Sequence, residues 1–449
     1  MYGMNWSVNN IQGSSAQDIA GSIESSLRSG ALQVGDALPA VRHLATQLGV
    51  NPNTVAAAYA RLRDAGRLIT SGRRGTRVAG ETVPIPTAYY VPEGLRDLAS
   101  GHVDNSLLPR LRASGWTRVQ ADPVSKAAHQ GEDDADLLAL SREWLAAQGL
   151  PGDDASIGVF SGALDAIERA LRQHARPGDR VAIEDPCWPP LLALLRSMRL
   201  RPVPLTMDEQ GVQVPEAGVL AGCAAVVLTP RAHNPTGLPL RADRWRALRR
   251  QLRACPNTLV IFNDYWGLLS STPLVINKAL PPHWLYVMSL SKCLGPDMRV
   301  CITAGTEELV AGMRAHHALG PRWVSRWLQR LAAQLWKQAA KGKGRGSFIH
   351  SQNTYAARRS ALVTALQKKG LPIDDTAHEG LHLWLPVPDE LIIVQAMASR
   401  GWAVQAGSAL RLNSEPAIRV SLGDVQSRDI KRLAGDLVQA LNLPVRAVF

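Results

Sequence analysis

Short apolar runs alternate with longer helical patterns from Leu95 onward in this chain of 449 residues. The apolar run 180–183 precedes a helical pattern at 191–198. The run 224–228 likewise precedes a helical pattern at 240–252. Such alternation is typical of a mainly parallel sheet covered by helices on both faces. Ligands bind at the carboxyl ends of the strands in these sheets, so polar residues that follow the runs are candidates for a site.

The composition is that of a soluble globular protein, with 46% hydrophobic and 20% charged residues, and the length favours two or three domains. No uninterrupted apolar run reaches the ~18 residues of a membrane span, and the first residues lack the pattern of a secretory signal. The five cysteines show no paired metal spacing, which predicts reduced thiols in a cytosolic protein. The net charge of +12 predicts a polyanionic partner, most simply nucleic acid.

The N-terminal region predicts a compact DNA-binding unit. Apolar residues recur at helical spacing over 17–28 and again over 38–48, where Gly49 ends the pattern. A further helix begins near Asn51, and two short helices joined by so tight a turn form a helix-turn-helix. Strand-like segments then flank a basic tip, as in a wing. Six arginines and one acid between positions 61 and 77 favour attraction to phosphate.

The motifs LPAVRxLA, LGVxxxTV, AYxxLxxxG and GxxGT make this region resemble the GntR-type winged helix. The resemblance implies that the following residues face DNA: Arg42, Asn51, Asn53, Thr54, Arg73, Arg74 and Gly75. Many relatives carry Ser-Arg or Thr-Arg at the turn, where this chain has Asn51 and Pro52. Because the arginine's contact with DNA is lost, the family's operator preference is not carried over.

Three prolines between 81 and 92 indicate a semi-rigid linker. We therefore predict a winged helix at 14–80, a linker at 81–94 and a large domain at 95–449.

Five polar motifs follow apolar runs of the large domain. They are SGALDAI from Ser161, EDPCWPP with Trp188, TPRAHNPTG with Asn234, NDYWG with Asp264, and SLSKCLGPDMR with Lys292. Small residues that open a helix, here Gly162 and Ala163, present backbone amides suited to a phosphate. An asparagine before a proline is held extended, so the Asn234 amide can face a cleft.

Pyridoxal phosphate (PLP) satisfies all five motifs at once. Its aldehyde suits Lys292, because a desolvated lysine has a lowered pKa and forms a Schiff base. Its ring nitrogen suits Asp264, whose charge keeps a pyridinium protonated. Its phenolate oxygen suits Asn234. Trp188 offers a flat aromatic surface on which the ring can stack. On its own, a tryptophan between prolines is more often part of a hydrophobic core. The phosphate suits Ser161, Gly162, Ala163, Ser289 and Arg299.

The order and spacing of these motifs make residues 95–445 resemble the fold-type-I aminotransferases. The resemblance implies an α/β fold with a mainly parallel seven-stranded sheet and a smaller C-terminal α+β subdomain at about 350–449. It also implies that Arg419 binds a substrate or effector carboxylate, with a surface arginine on an edge strand as the alternative. Tyr265 is the candidate for a tyrosine that contacts the phenolate oxygen. Asn263 stands where an acid is more usual, so Asn263 and Asp264 are alternatives for facing the ring nitrogen, and Asp264 is preferred.

A GntR-like winged helix ahead of an aminotransferase-like domain resembles the MocR group of bacterial transcriptional regulators. The motifs EDPCW, TPRAHNPTG, SLSKCLGPDMRV and NTVAAAYARL are most similar to its PtsJ branch. The resemblance implies a cytoplasmic, domain-swapped homodimer in which each winged helix crosses over the partner's large domain. It implies binding to double-stranded operator DNA and a response to PLP, or to an amine or amino acid that reacts with it. The branch suggests vitamin B6 salvage as the regulated pathway.

Three functions remain open from the sequence. The leading hypothesis is that Lys292 senses PLP or a related effector without physiological turnover, and that Schiff-base exchange shifts the populations of DNA-binding states. The alternative is a catalytically active PLP-dependent aminotransferase with a fused DNA-binding domain, because all of the minimal catalytic groups are present. The third is a regulator whose large domain has lost the cofactor.

Overall fold

A computed structural model describes residues 11–28, 31–32, 35–64, 67–70, 75–79, 91–120, 133–153, 156–276 and 280–442. The chain divides into two compact units, one up to Pro86 and the other from Thr87. Two short segments, 175–180 and 192–202, group with the first unit. Among the described residues, no helix is long and apolar enough to cross a membrane.

The described residues of the N-terminal unit form three helices and a two-stranded wing. The helices are α1 (Ala16–Arg28), α2 (Val41–Leu48) and α3 (Pro52–Asp64). The strands β1 (Leu68–Thr70) and β2 (Thr76–Val78) pair antiparallel. The predicted helix-turn-helix and both predicted wing strands are thereby confirmed. The tip of the wing, 71–74, lies outside the described residues.

Two local features fix the turn between α2 and α3. Gly49 ends α2 with φ 65°, in the left-handed region that glycine adopts without strain. Pro52 opens α3, where its missing N–H is not needed. The Tyr59 hydroxyl then donates a hydrogen bond to the carbonyl oxygen of Pro39 at 2.9 Å, which attaches α3 to the start of α2.

The remaining elements form a large α/β fold. Its strands are β3 (Arg96–Asp97), β4 (Ile157–Phe160), β5 (Arg180–Asp185), β6 (Arg201–Asp208), β7 (Gly211–Val212), β8 (Cys223–Leu228), β9 (Leu259–Asp264), β10 (Trp284–Ser289), β11 (Cys301–Gly305), β12 (His382–Pro386), β13 (Trp402–Ala403), β14 (Gln405–Ala406) and β15 (Ala417–Ser421). Its helices are α4 (Ala113–Gln120), α5 (Ala135–Ala147), α6 (Ala163–His174), α7 (Pro189–Ser197), α8 (Ala242–Leu252), α9 (Ser291–Leu294), α10 (Glu307–Ala318), α11 (Arg326–Lys341), α12 (Phe348–Gln367), α13 (Glu390–Ala398) and α14 (Ile430–Leu441).

In the described part of the chain, eight strands form the large sheet, in the order β4-β11-β10-β9-β8-β5-β6-β7. The central strands β8, β9 and β10 are parallel, whereas β11 is antiparallel to both of its neighbours. The sheet has one strand more than the seven that were predicted, because β7 folds back antiparallel on β6 at the edge. A strand of two residues is too short to leave an apolar run in the sequence.

One face of the large sheet, the α5 face, packs on α5 and α8. Phe262 of β9 lies edge-on to Trp245 of α8, with ring centroids 5.2 Å apart. The Trp144 indole of α5 donates to the Tyr286 hydroxyl of β10 at 3.5 Å. Side chains alternate along a strand, so Asp264, two residues after Phe262, also lies on the α5 face.

The opposite face, the α6 face, carries the alternate residues. Asn263 of β9 is in register with Val287 of β10. Ser289 follows Val287 by two residues and therefore lies on the same face as Asn263. Helix α6 packs against β8, β9, β10 and β11. Consecutive residues at the end of β9 thus lie on opposite sides of the sheet.

The predicted α+β subdomain is present at the C-terminal side of the fold. Its sheet has the order β12-β15-β14, and its core includes Leu362, Met397, Trp402 and Ile418. The subdomain also takes in β3, which pairs in parallel with β13. Sequence analysis did not predict β3, because its partner is distant in the chain and two residues show no periodicity.

Candidate functional site

Lys292 lies on the short helix α9, directly after β10. Its Nζ donates a hydrogen bond to the carbonyl oxygen of Gly101 at 2.8 Å. Burial, and then the positive charge of Arg419, lowers the pKa of Lys292 from its ordinary value to about 8. A lysine with this pKa is partly neutral near physiological pH, and a neutral amine can attack an aldehyde.

Arg419 contacts one other predicted site residue. Its Nη1 donates to Oδ1 of Asn234 at 3.1 Å, and its Nη2 donates to the carbonyl oxygen of Ala99. The residue is 3% exposed, and β15 is the middle strand of its three-stranded sheet. The alternative of a surface arginine on an edge strand is therefore wrong. Its role as a carboxylate partner stays a prediction.

His382 is a buried neighbour of these groups that the sequence did not reveal. Gly101 has φ 71°, and a Cβ at that position would lie 2.7 Å from Cε1 of His382. The His382 Nδ1 lies 3.1 Å from the hydroxyl of Ser421. Burial, followed by the positive charges of Arg419 and Lys292, holds the pKa of His382 well below its ordinary value. The imidazole is therefore neutral and adds no charge next to Lys292.

Three of the residues predicted to bind a phosphate, Ser161, Gly162 and Arg299, lie together at the start of α6. Arg299 Nη2 donates to the carbonyl oxygen of Ser161 at 3.3 Å. Gly162 has φ 113°, and a Cβ there would collide with the Arg299 guanidinium. The Ser289 hydroxyl lies 2.8 Å from the hydroxyl of Ser291. One predicted donor is already engaged, because the Ser161 amide donates to Oδ2 of Asp165 at 3.0 Å.

Two aromatic residues of the predicted site occupy different environments. The Tyr265 hydroxyl donates to the carbonyl oxygen of Ala232 at 2.5 Å. Burial, and then the negative charge of Glu379, raises the pKa of Tyr265, so the phenol remains protonated. Trp188 is half-buried directly before α7.

Asp264 forms a buried ion pair on the α5 face. Its Oδ2 accepts hydrogen bonds from Nε of Arg231 at 3.0 Å and from the Tyr286 hydroxyl at 2.7 Å. The Arg231 guanidinium also lies 5.7 Å from the centroid of the Trp144 ring. Burial opposes the charge on Arg231, but Asp264 raises the pKa of Arg231 above its ordinary value. The preferred role of Asp264, facing a ring nitrogen, is not favoured by this pairing.

Asn263 lies on the opposite face of the sheet from Asp264. It is 5% exposed and lies on the α6 face. Its Oδ1 has no hydrogen-bond partner among the described residues. A buried amide oxygen that lacks a partner is unfavourable, which makes Asn263 a candidate for contact with a ligand.

Four residues of this site were missed from the sequence: Gly101, Arg231, Tyr286 and His382. A signal existed only for Arg231, because a buried carboxylate requires a cationic partner and an arginine follows the neighbouring strand β8. The other three come from distant parts of the chain, and no local pattern marks them.

The residues predicted to face DNA lie mostly on the surface of the winged helix. Arg42 of α2, Asn51 and Asn53 are exposed, and Thr54 is half-buried. Asn51 accepts a hydrogen bond from the Asn53 amide at 2.8 Å, which caps the start of α3. Gly75 is exposed as well, whereas Arg73 and Arg74 lie outside the described residues.

Two family models match the chain. Residues 15–78 match the bacterial regulatory proteins of the gntR family, and residues 135–437 match the class I and II aminotransferases. Relatives include the vitamin B6 salvage pathway transcriptional repressor PtsJ of Salmonella typhimurium, 36% identical over 96% of this chain and 100% of the relative. The pyridoxine biosynthesis transcriptional regulator PdxR of Corynebacterium glutamicum is 26% identical over 84% of each chain.

A solved structure with the same fold is α-aminoadipate aminotransferase LysN of Thermus thermophilus, in complex with N-(5'-phosphopyridoxyl)-L-leucine. The TM-score is 0.65 at 18% identity, over 84% of this chain and 96% of that chain.

The residues of the site fit PLP. The Lys292 amine has a lowered pKa, and Arg299 with the cradle at Gly162 offers a positive charge and close backbone approach for a phosphate. The buried oxygen of Asn263 lacks a partner among the described residues.

Proposed function

Because this chain belongs to the MocR-type regulators, in which a GntR-type winged helix precedes an aminotransferase-like domain, we propose that it is a DNA-binding transcriptional regulator that responds to PLP. The regulated process is vitamin B6 salvage, the pathway named for the Salmonella relative. The protein acts in the bacterial cytoplasm.

The observation that carries this proposal is the Lys292 amine. Burial lowers its pKa to about 8, and its Nζ donates to the carbonyl oxygen of Gly101 at 2.8 Å. When bound, PLP supplies an aldehyde that reacts reversibly with amines. Arg299, Ser289 and the first turn of α6 hold the phosphate, as the contact of Arg299 with Ser161 supports.

The other predicted residues orient the ligand. Asn234 and Tyr265 would hold the phenolate oxygen of PLP, and Trp188 would stack on its ring. Arg419 binds the carboxylate of an amino acid effector, which its burial and its position next to Asn234 support. The winged helix places the first turn of α3 in the major groove of double-stranded operator DNA.

The test measures DNA binding and PLP binding on the same full-length chain. Duplexes are selected from a random pool, and their affinity is then measured by fluorescence anisotropy with and without PLP. We expect PLP to change the affinity of the wild type by about fivefold or more, the usual range of allosteric coupling. Lys292→Ala abolishes this change, whereas the exposed control Lys368→Ala retains it.

Two outcomes contradict the proposal. One is that no duplex is selected while the protein rapidly transaminates a particular amino acid, which establishes the aminotransferase alternative. The other is that the DNA affinity of the wild type is the same with and without saturating PLP, which leaves a regulator that does not sense the cofactor.

We also propose a homodimer in which each winged helix crosses over the partner's large domain, as the family resemblance implies. Light scattering should give twice the chain mass of 48.5 kDa. Dimers formed from a mixture of ¹⁴N-labelled and ¹⁵N-labelled chains are cross-linked and analysed by mass spectrometry. We expect cross-links that join the winged helix of a chain with one isotope to the large domain of a chain with the other. Links within one isotope only contradict the crossover.

A further inference from the structure

The chemistry at the ring nitrogen of PLP depends on which side of the sheet the ring occupies. Asn263 and Asp264 are consecutive on β9, so their side chains point to opposite faces. Only one of them lies on the face that carries the other PLP-binding groups. The contacts of the neighbouring strands identify that face.

The phosphate-binding groups lie on the α6 face. Ser289 is directly opposite Cys301 in the antiparallel pair of β10 and β11. Cys301 opens β11, and α6 packs against β11. Arg299 donates to the carbonyl oxygen of Ser161 at 3.3 Å, directly before the same helix.

Asn263 shares this face. It is in register with Val287, and Val287 and Ser289 are alternate residues of β10. Asn263 is 5% exposed, and its Oδ1 has no hydrogen-bond partner in the described part of the chain. The carboxamide is therefore a buried polar group, on the ligand side of the sheet, that lacks a protein partner for its oxygen.

Asp264 lies on the α5 face, where its charge is already offset. Arg231 and Tyr286 both donate to its Oδ2, at 3.0 and 2.7 Å. Its Oδ1 also lacks a hydrogen-bond partner among the described residues. That second oxygen belongs to a carboxylate already paired with a guanidinium, and it lies on the side opposite Ser289.

We propose that Asn263, and not Asp264, contacts the ring nitrogen of bound PLP, so that the ring is held without a paired negative charge. The inference rests on the proposed function, because it requires PLP bound at Lys292. A carboxamide is neutral, so it does not favour a proton on the ring nitrogen as a carboxylate does. A neutral ring withdraws electrons weakly. Asn263 is thus a specificity-determining residue that suits the site to reversible capture of an aldehyde rather than to turnover.

The test observes the charge of the ring nitrogen itself. PLP labelled with ¹⁵N in the ring is bound to the full-length chain, unbound PLP is removed, and the retained PLP is quantified after release. The ¹⁵N chemical shift is then followed with pH. In the wild type we expect the signal of a neutral pyridine nitrogen at neutral pH. In Asn263→Asp we expect the pKa of the ring nitrogen to rise by about 2 units, the effect of an adjacent carboxylate.

Asp264→Asn is the matched variant, since it makes the same chemical change one residue later. It should leave the ¹⁵N signal unchanged. Because loss of this carboxylate can destabilise the fold, the wild-type titration stands by itself as a second criterion.

A wild-type ring nitrogen that is cationic at neutral pH overturns the inference. If that positive charge is then lost in Asp264→Asn, Asp264 contacts the ring nitrogen, and the proposal of PLP sensing still stands. A wild type that retains no PLP overturns the proposed function and this inference together.

Discussion

Arg419 on β15 donates a hydrogen bond from Nη1 to Oδ1 of Asn234, at 3.1 Å. The bond joins the sheet of the smaller subdomain to the segment that follows β8 in the large sheet. Its other terminal nitrogen donates to the carbonyl oxygen of Ala99. The guanidinium is therefore fixed between three separate parts of the chain.

Arg419→Gln tests the proposed carboxylate site. We expect binding of α-amino acids to the PLP-loaded protein to weaken by about 10- to 100-fold, because a hydrogen bond to a charged group contributes about 1.5–3 kcal/mol. Absorbance titrations measure the affinity, and the exposed Arg428→Gln is the control. If the variant binds an amino acid and its decarboxylated amine with the wild-type ratio, the carboxylate is bound elsewhere.

The rate of PLP attachment should depend on pH through Lys292. Only the neutral amine attacks an aldehyde, so the rate should rise with pH and level off above about pH 8, the value to which the pKa is lowered. Arg419→Gln removes a positive charge that lowers this pKa, so its midpoint should move to higher pH. Stopped-flow absorbance measures both profiles. A midpoint near the ordinary lysine value of 10.5 would contradict the burial of the amine.

The buried pair of Arg231 and Asp264 should be important for stability. Arg231→Met leaves a buried carboxylate without its cation, and we expect the free energy of unfolding to fall by about 3–5 kcal/mol. The double variant Arg231→Met with Asp264→Leu should recover most of this loss, because no unpaired charge remains. Urea denaturation measures both. Equal stability of the single and double variants would indicate that the charge of Asp264 does not matter.

Gly162→Ala should weaken PLP binding. The added Cβ meets the Arg299 guanidinium, and φ 113° is unfavourable for alanine. If Arg299 loses a charged hydrogen bond to the phosphate, the affinity falls by about tenfold or more. Gly370→Ala is the matched control, since Gly370 also has positive φ, 87°, but faces open space. Equilibrium dialysis measures PLP affinity, and equal losses in both variants would attribute the effect to backbone strain alone.

Asn53→Ala should separate DNA binding from ligand binding. Asn53 is exposed in the first turn of α3, and loss of a base contact costs about 1–3 kcal/mol. Operator affinity should fall by about tenfold, while PLP absorbance is unchanged. Ser25→Ala, on the exposed side of α1, serves as the control in anisotropy measurements. Unchanged affinity in Asn53→Ala would place the base contacts on other residues.

Local patterns in the sequence predicted helices and strands well. Elements that depend on pairing between distant segments could not be predicted. The predicted helix-turn-helix and the predicted wing strands agree with α2, α3, β1 and β2, because periodicity and turn residues lie within each segment. Strand β3 pairs with β13, which lies far along the chain in the smaller subdomain. No window of the sequence contains both strands.

The same limit applies to the end of β9. From the sequence, Asn263 and Asp264 are neighbours at a strand end, and either can be assigned to the ring. The choice depends on which helix covers which face, and that is decided by packing of α5 and α6 far from β9 in the chain. Arg231 follows β8 and meets Asp264 only because β8 and β9 are adjacent in the sheet.

The hydrogen bond from Lys292 to Gly101 has a consequence for ligand binding. The carbonyl oxygens of Gly101 and Ala99 accept hydrogen bonds from Lys292 and Arg419. Both predicted ligand-binding groups are therefore attached to one short stretch of backbone. A ligand that engages either group competes with that backbone for a hydrogen bond.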